Sequence, residues 1–173
     1  MKFKEFEKQL RLSLIEELEI HIPKLENIPI SSFDLGVHPW YGYFELSFLT
    51  SNEVLLNKEK FKYDIAAWKY YNINEFQSSD SSKLYHLGLF MQDKFERIQS
   101  FQYDRFFRIS AQIINSKEIQ GILDSYVTTP DFYCSVYDPD DLKFRNYCKG
   151  FRKGWIKNIG IFRFFDIIKE LNE

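Results

Sequence analysis

Residues 33–50 read FDLGVHPWYGYFELSFLT, and how this stretch pairs with itself decides what the rest of the chain packs against. From Tyr43 the residues alternate, with Phe44, Leu46 and Phe48 on one side and Tyr43, Glu45, Ser47 and Leu49 on the other. Successive side chains of a strand point to opposite faces. The stretch therefore reads as a β-hairpin, or two closely joined strands, turning at the aromatic-rich corner His38-Pro39-Trp40-Tyr41-Gly42. Gly36 and Gly42 suit backbone bends or close approaches within a sheet.

Upstream, Phe3, Phe6, Leu10, Leu14, Leu18 and Ile22 recur at three- and four-residue steps with charges on the other faces. This predicts an amphipathic helix over residues 2–21. Pro23 ends it, because the residue before a proline avoids helical dihedrals, and residues 23–29 form an irregular connection.

Downstream, SNEVLLNKEK (51–60) predicts a turn with a short helix or an exposed loop. Residues 61–76, FKYDIAAWKYYNINEF, fit either a helix capped by Asp64 or an extended edge segment. The clustering of Ile, Trp and Tyr favours a strand that ends in a loop around Trp68. QSSDSS (77–82) reads as a loop. From Lys83 to about Tyr126 the pattern is helical. Leu84, Leu87, Met91, Phe95 and Ile98 form one stripe, and Phe106, Ile109, Ile113 and Ile114 a second. After a break at Asn115-Ser116, Ile119, Ile122 and Leu123 mark a third, short helix.

Thr128-Thr129-Pro130-Asp131 ends that block, and FYCSVY (132–137) alternates like a strand. Asp138-Pro139-Asp140-Asp141 predicts a turn and a helix start. That helix runs to about Cys148, and a closing helix covers 158–171. Early strands followed by helices predict an α+β fold: one domain over residues 1–173, with a small antiparallel or mixed sheet covered on one face by several helices.

A chain of 173 residues that is 45% hydrophobic has ample material for a core. Its 18 Phe and 11 Tyr leave aromatic surface over, and aromatics are enriched where proteins meet. The net charge is only −2, but residues 142–163 hold seven of the 23 basic residues and no acidic one. Elsewhere sixteen cations face 25 carboxylates, a lopsidedness that can steer a partner. Cys134 and Cys148 match neither a zinc ribbon nor a redox pair and read as buried reduced thiols. The N-terminus lacks an apolar signal core, and no apolar run approaches a membrane span, so a cytoplasmic location and no membrane partner are expected.

Three histidines are candidates for chemistry. His38 sits in a corner where an imidazole could act as a base. The local spacing supplies no acid or nucleophile beside it, so a structural role is expected. His21 and His86 are scattered, with no metal-ligand spacing. Asp138, Asp140 and Asp141 lack the glycine of a calcium loop and suit a helix N-terminus or an anionic docking patch. The basic aromatic run over residues 143–157 suits nucleic acid, but it suits two ordinary helices better, and the acidic remainder disfavours nucleic acid. No phosphate loop, nucleophile elbow or CxxC pair is present. No cofactor is therefore expected.

The segments GVHPWYGYFELSFLT and DIAAWKYY, followed by a helical block and a late strand ending in acids, resemble small bacterial immunity proteins of polymorphic toxin systems. The likeness rests on His38-Pro39-Trp40, Ala67-Trp68-Lys69-Tyr70 and the order of elements. It implies a cytosolic, non-enzymatic protein that binds and neutralises another protein, such as a toxin, and it carries over no catalytic residue.

The leading expectation is thus a non-catalytic interaction protein of immunity or regulatory type. Its partner surface is expected at Trp40 and Tyr41, at Trp68 and Tyr71, or at Asp138, Asp140 and Asp141. The alternative is a small hydrolase or transferase using His38 with Asp64 or Asp138 brought near by folding. The oligomeric state is left open.

Overall fold

The computed structural model describes residues 1–56, 64–74, 83–97, 103–137 and 146–148. The fold is α+β, a three-stranded mixed sheet under helices. Helix α1 spans Phe3–His21 and buries Phe6, Leu10, Leu14 and Leu18, the expected stripe. The α-helix ends ahead of Pro23, as expected. Pro23 sits in the first turn of a 3-10 helix, Ile22–Leu25, where a residue's N–H has no partner within the helix.

Strands β1 (Ile30–His38) and β2 (Tyr43–Thr50) form the hairpin, with His38 opposite Tyr43, Gly36 opposite Glu45 and Asp34 opposite Ser47. Its corner is closed by the His38 carbonyl, which accepts from the amides of Gly42 at 2.8 Å and Tyr41 at 3.2 Å. Gly42 has φ +71°, a conformation that glycine adopts without strain.

The strand expected over residues 132–137 begins earlier. Strand β3 spans Thr128–Ser135 and runs parallel to β1, giving the order β2-β1-β3. It takes in Thr128-Thr129-Pro130-Asp131, which the sequence assigned to a connection. Pro130 is tolerated because β3 lies at the sheet edge, where a strand can lack a donor, and the register shifts alongside it.

Helix α2 is short, Ser51–Leu56, and α3 (Lys83–Arg97), α4 (Asp104–Ile114) and α5 (Lys117–Leu123) form the expected helical block. Phe33, Leu35, Val37, Phe44, Leu46 and Phe48 bury one face of the sheet in the core shared with α1, α3 and α4. Phe6 of α1 sits at its centre, with ring centroids 6.4 Å from Phe44, 5.4 Å from Phe90 and 5.4 Å from Phe106. Burying each such ring contributes about 1.5–3 kcal/mol. Gly88 lets α3 approach the corner backbone to backbone: a Cβ there would lie 1.8 Å from the Gly42 carbonyl oxygen.

The strand favoured within residues 61–76 does not form across the described part. Ile65–Ala67 is a 3-10 turn, and only Tyr70 bridges to β2, opposite Phe48. Two aromatics in series, Tyr70 and Tyr71, supply strand propensity, but Asn72 at φ +46° breaks the extended run directly after them. The segment does lie along the β2 edge, as an edge segment should.

The 77–82 loop, the turn at residues 138–141, the helix after it, the closing helix over 158–171 and most of the basic run lie outside the described residues. Among the described residues no helix is long and apolar enough to cross a membrane. Cys134 and Cys148 are buried and not joined in a disulfide.

Candidate functional site

The second face of the sheet carries the polar half of the alternation: Ser32, Asp34, Gly36 and His38 from β1, Glu45 and Ser47 from β2, and Ser135 from β3. Of these, Ser32, Asp34, Glu45, Ser47 and Ser135 are buried. Buried polar groups need partners, and those of Asp34, Glu45, Ser47 and Ser135 converge here. Glu45 accepts from Tyr71 Oη at 2.6 Å through Oε1 and lies 3.0 Å from His38 Nε2 through Oε2. One pair further along, Ser135 Oγ hydrogen-bonds Asp34 Oδ1. The residues around them enclose a pocket of about 260 Å³ lined by Asp34, Gly36, His38, Glu45, Asp64, Tyr71 and Tyr137, with Val37, Ile65 and Ala66.

Tyr71 is held over Glu45 by the segment that borders β2. Ile73 N donates to the Leu46 carbonyl at 2.8 Å and Asn72 N to Ser47 Oγ at 3.0 Å. Asn74 closes the edge in both directions, accepting from Leu46 N at 2.8 Å and donating to the Phe44 carbonyl at 3.1 Å. Glu53 ties the start of this segment to the end of β2: it accepts from Lys69 N at 2.6 Å and from Thr50 Oγ1 at 2.7 Å.

The two carboxyls are driven apart electrostatically. Burial raises Asp34 and the Glu45 charge raises it further; the Ser135 hydrogen bond only partly opposes them, and the carboxyl is pushed up to about 7. Burial also acts to raise Glu45. The hydrogen bonds from His38 and Tyr71 outweigh it, so Glu45 ends below the ordinary carboxyl range. The Tyr71 hydroxyl is raised by burial, then by its bond to Glu45 and that carboxylate's charge. Near neutral pH the site therefore holds an ionised Glu45, a partly protonated Asp34 and a neutral Tyr71 donor.

Beside the pocket the corner forms a ring ladder. Tyr43 stacks on His38 at 4.3 Å between centroids, and Tyr41 stacks on Tyr43 at 6.0 Å. Trp40 meets His38 at 6.2 Å edge to face and Phe95 of α3 at 6.0 Å. Tyr41 is 66% exposed, whereas Trp40 is half-buried.

Of the residues expected at a partner surface, Trp40, Tyr41 and Tyr71 lie together around this corner and pocket. Trp68 does not join them: it is 4% exposed, so its ring belongs to the interior. Asp138, Asp140 and Asp141 lie outside the described residues. The structure also corrects the expectation that His38 has no acid in reach. Glu45 is that acid, seven residues on, and Asp64 lines the same pocket.

Glu45, Asp34 and Ser135 are not among the residues the sequence singles out. The signal for Glu45 was present: a hairpin closed at residues 39–42 sets His38 opposite Tyr43 and leaves Glu45 diagonal to His38 on the same face, within side-chain reach. Ser135 had no such signal, because it reaches Asp34 only through the parallel pairing of β3.

Among the described residues no three His, Cys, Asp or Glu side chains are arranged to hold a metal ion. No protein-family model matches the chain, and no curated protein or solved structure matches it.

Proposed function

We propose that this chain is a protein-binding protein of regulatory or immunity type, which captures its partner at the hairpin corner and the pocket beside it. The observation that carries this reading is Tyr41. It is a large aromatic held mostly in solvent at the tip of a stacked ladder, so docking on it costs little ordering entropy. Tyrosine and tryptophan anchors of this kind dominate the energetics of protein interfaces. Trp40 and Tyr71 extend the same surface, and Glu45 and Asp64 give it negative charge.

The test is recovery of the partner from the source cells with tagged protein, followed by affinity measurement with the two purified proteins. Tyr41→Ser is expected to weaken binding by roughly 30-fold, the size of a hot-spot loss. A partner bound equally well by Tyr41→Ser and by Trp40→Ala moves the interface elsewhere and defeats the proposal.

A second reading is favoured by the opposed shifts of Asp34 and Glu45. Carboxyls held in different protonation states are how one pocket supplies both an acid and a base, and His38 Nε2 lies 3.0 Å from Glu45 Oε2. This reading is a small hydrolase or transferase that uses His38, oriented by Glu45, with Asp34 or Asp64 as the second group. It requires His38→Ala to abolish a measurable turnover while partner binding survives.

A further inference from the structure

We propose that the pocket beside the hairpin corner is a receptor for one arginine side chain of the partner, with Glu45 as the counter-ion. This deepens the partner-binding reading and rests on it. Three carboxyl groups, Asp34, Glu45 and Asp64, line the pocket, and among the described residues no lysine or arginine does. Glu45 is ionised but not saturated. Among the described residues each of its oxygens holds one donor, from Tyr71 and from His38, and a carboxylate has about four acceptor sites, so one on each oxygen is left there for a fork of two N–H donors.

Tyr71 and Tyr137 are among the lining residues, and a guanidinium stacks on aromatic faces where an ammonium acts as a point charge. Gly36 forms the floor under His38 and Glu45. A Cβ there would lie 3.0 Å from Glu45 Oε2 and 3.1 Å from His38 Nε2, so the missing side chain is what keeps this space open. The size also fits. At about 260 Å³ the pocket falls just below the roughly 300–1,000 Å³ of small-molecule sites. It is large enough to admit a single side chain.

The probe is N-acetyl-arginine methylamide, titrated into the full-length, nitrogen-15-labelled protein and followed by NMR. Saturable shifts are expected at the amides of Gly36, His38 and Tyr71, with millimolar affinity. The citrulline analogue keeps the shape but lacks the charge and is expected to leave these amides unmoved. Glu45→Gln is expected to remove the response. Asp64→Asn, outside the sheet and harmless to its folding, is expected to weaken it roughly two- to fivefold, the range of a solvent-screened pair. Absence of saturable shifts, equal shifts with citrulline, tighter binding of the lysine analogue, or an undiminished response in Asp64→Asn overturns the assignment. If the arginine probe fails while Tyr41 still governs partner binding, the pocket proposal falls and the interface stands. If the probe binds but the partner ignores Tyr41, the interface proposal falls.

Discussion

On one face of the sheet Phe33, Leu35, Val37, Phe44, Leu46 and Phe48 meet three helices. On the other, Ser32, Asp34, Glu45, Ser47 and Ser135 are buried nearly as deeply beneath a short segment and a strand end. Burial is similar, but its energetics are not. Removing an apolar ring from water stabilises the fold outright. Withdrawing a carboxylate costs free energy that its hydrogen bonds at best offset, and apolar replacements of buried charges often hold a fold together better. The first face therefore accounts for why the chain folds. The second is arranged in a way that folding alone does not require, and local departures of that kind concentrate at functional sites.

The largest expected effect tests that division directly. Phe33 is fully buried, with its ring 4.9 Å from Phe48. Phe33→Ala is expected to cost about 3–5 kcal/mol, read from urea unfolding midpoints. Ser47 is buried to the same degree one register pair away and accepts from Asn72 N. Ser47→Ala is expected to cost only about 1 kcal/mol, the worth of one hydrogen bond. Equal losses would mean that both faces serve stability alike.

The contrast between faces also explains what could be read from the sequence. The apolar face was legible because Phe44, Leu46 and Phe48 alternate and α1 and α3 carry stripes to match them. The polar face was legible only as a direction. Alternation says that Glu45 and Ser47 point away from Phe44, but not that they point into protein rather than water. That depends on Tyr71 and Ser135, which are 26 residues beyond Glu45 and 101 beyond Asp34. Closeness in sequence makes Trp68 and Tyr71 read as one patch. The turn between Ile65 and Asn72 sends Trp68 inward and Tyr71 over the pocket.

A next effect separates the faces by pH. The Asp34 carboxyl rises from an ordinary 3.8 to about 7 on folding. Between those values the folded state holds more protons than the unfolded one, so this group makes stability fall as pH rises, and its contribution levels off above about 7. The full span is of the order of 4 kcal/mol. Glu45, shifted down, acts in the opposite sense, losing its stabilisation as pH falls. So does His21, whose imidazole is lowered by burial and by Lys24. The useful quantity is therefore the difference between wild type and Asp34→Asn, where the amide oxygen can still accept from Ser135. The facing groups Glu45, Asp64, Tyr71 and His38 stay the same in both. That difference is expected to shift steadily in favour of Asp34→Asn from about pH 4 to pH 7 and then flatten. A flat difference throughout would place Asp34 in ordinary solvent.

The smallest expected change in stability is the sharpest for function. Gly36 sits in an extended strand whose backbone any residue can adopt, and replacing glycine by alanine there reduces the freedom of the unfolded chain, worth about 0.4–1 kcal/mol. Against this, the new Cβ lies 3.0–3.1 Å from Glu45 and His38, so those side chains must move a few tenths of an ångström. The two terms are of similar size and opposite sign, and Gly36→Ala is expected to unfold within about 1 kcal/mol of wild type. The displacement, however, falls on the carboxylate that holds Tyr71 and His38. A fork of two N–H donors tolerates little misplacement of its acceptor, and the arginine probe is expected to lose most of its affinity. On the opposite face a methyl added at Gly88 would run into the Gly42 backbone, which has no such freedom to yield. If Gly36→Ala were instead as damaging to stability as Gly88→Ala, the polar face would be part of the fold's support. If it left both stability and probe binding intact, Glu45 would not be the group that receives the charge.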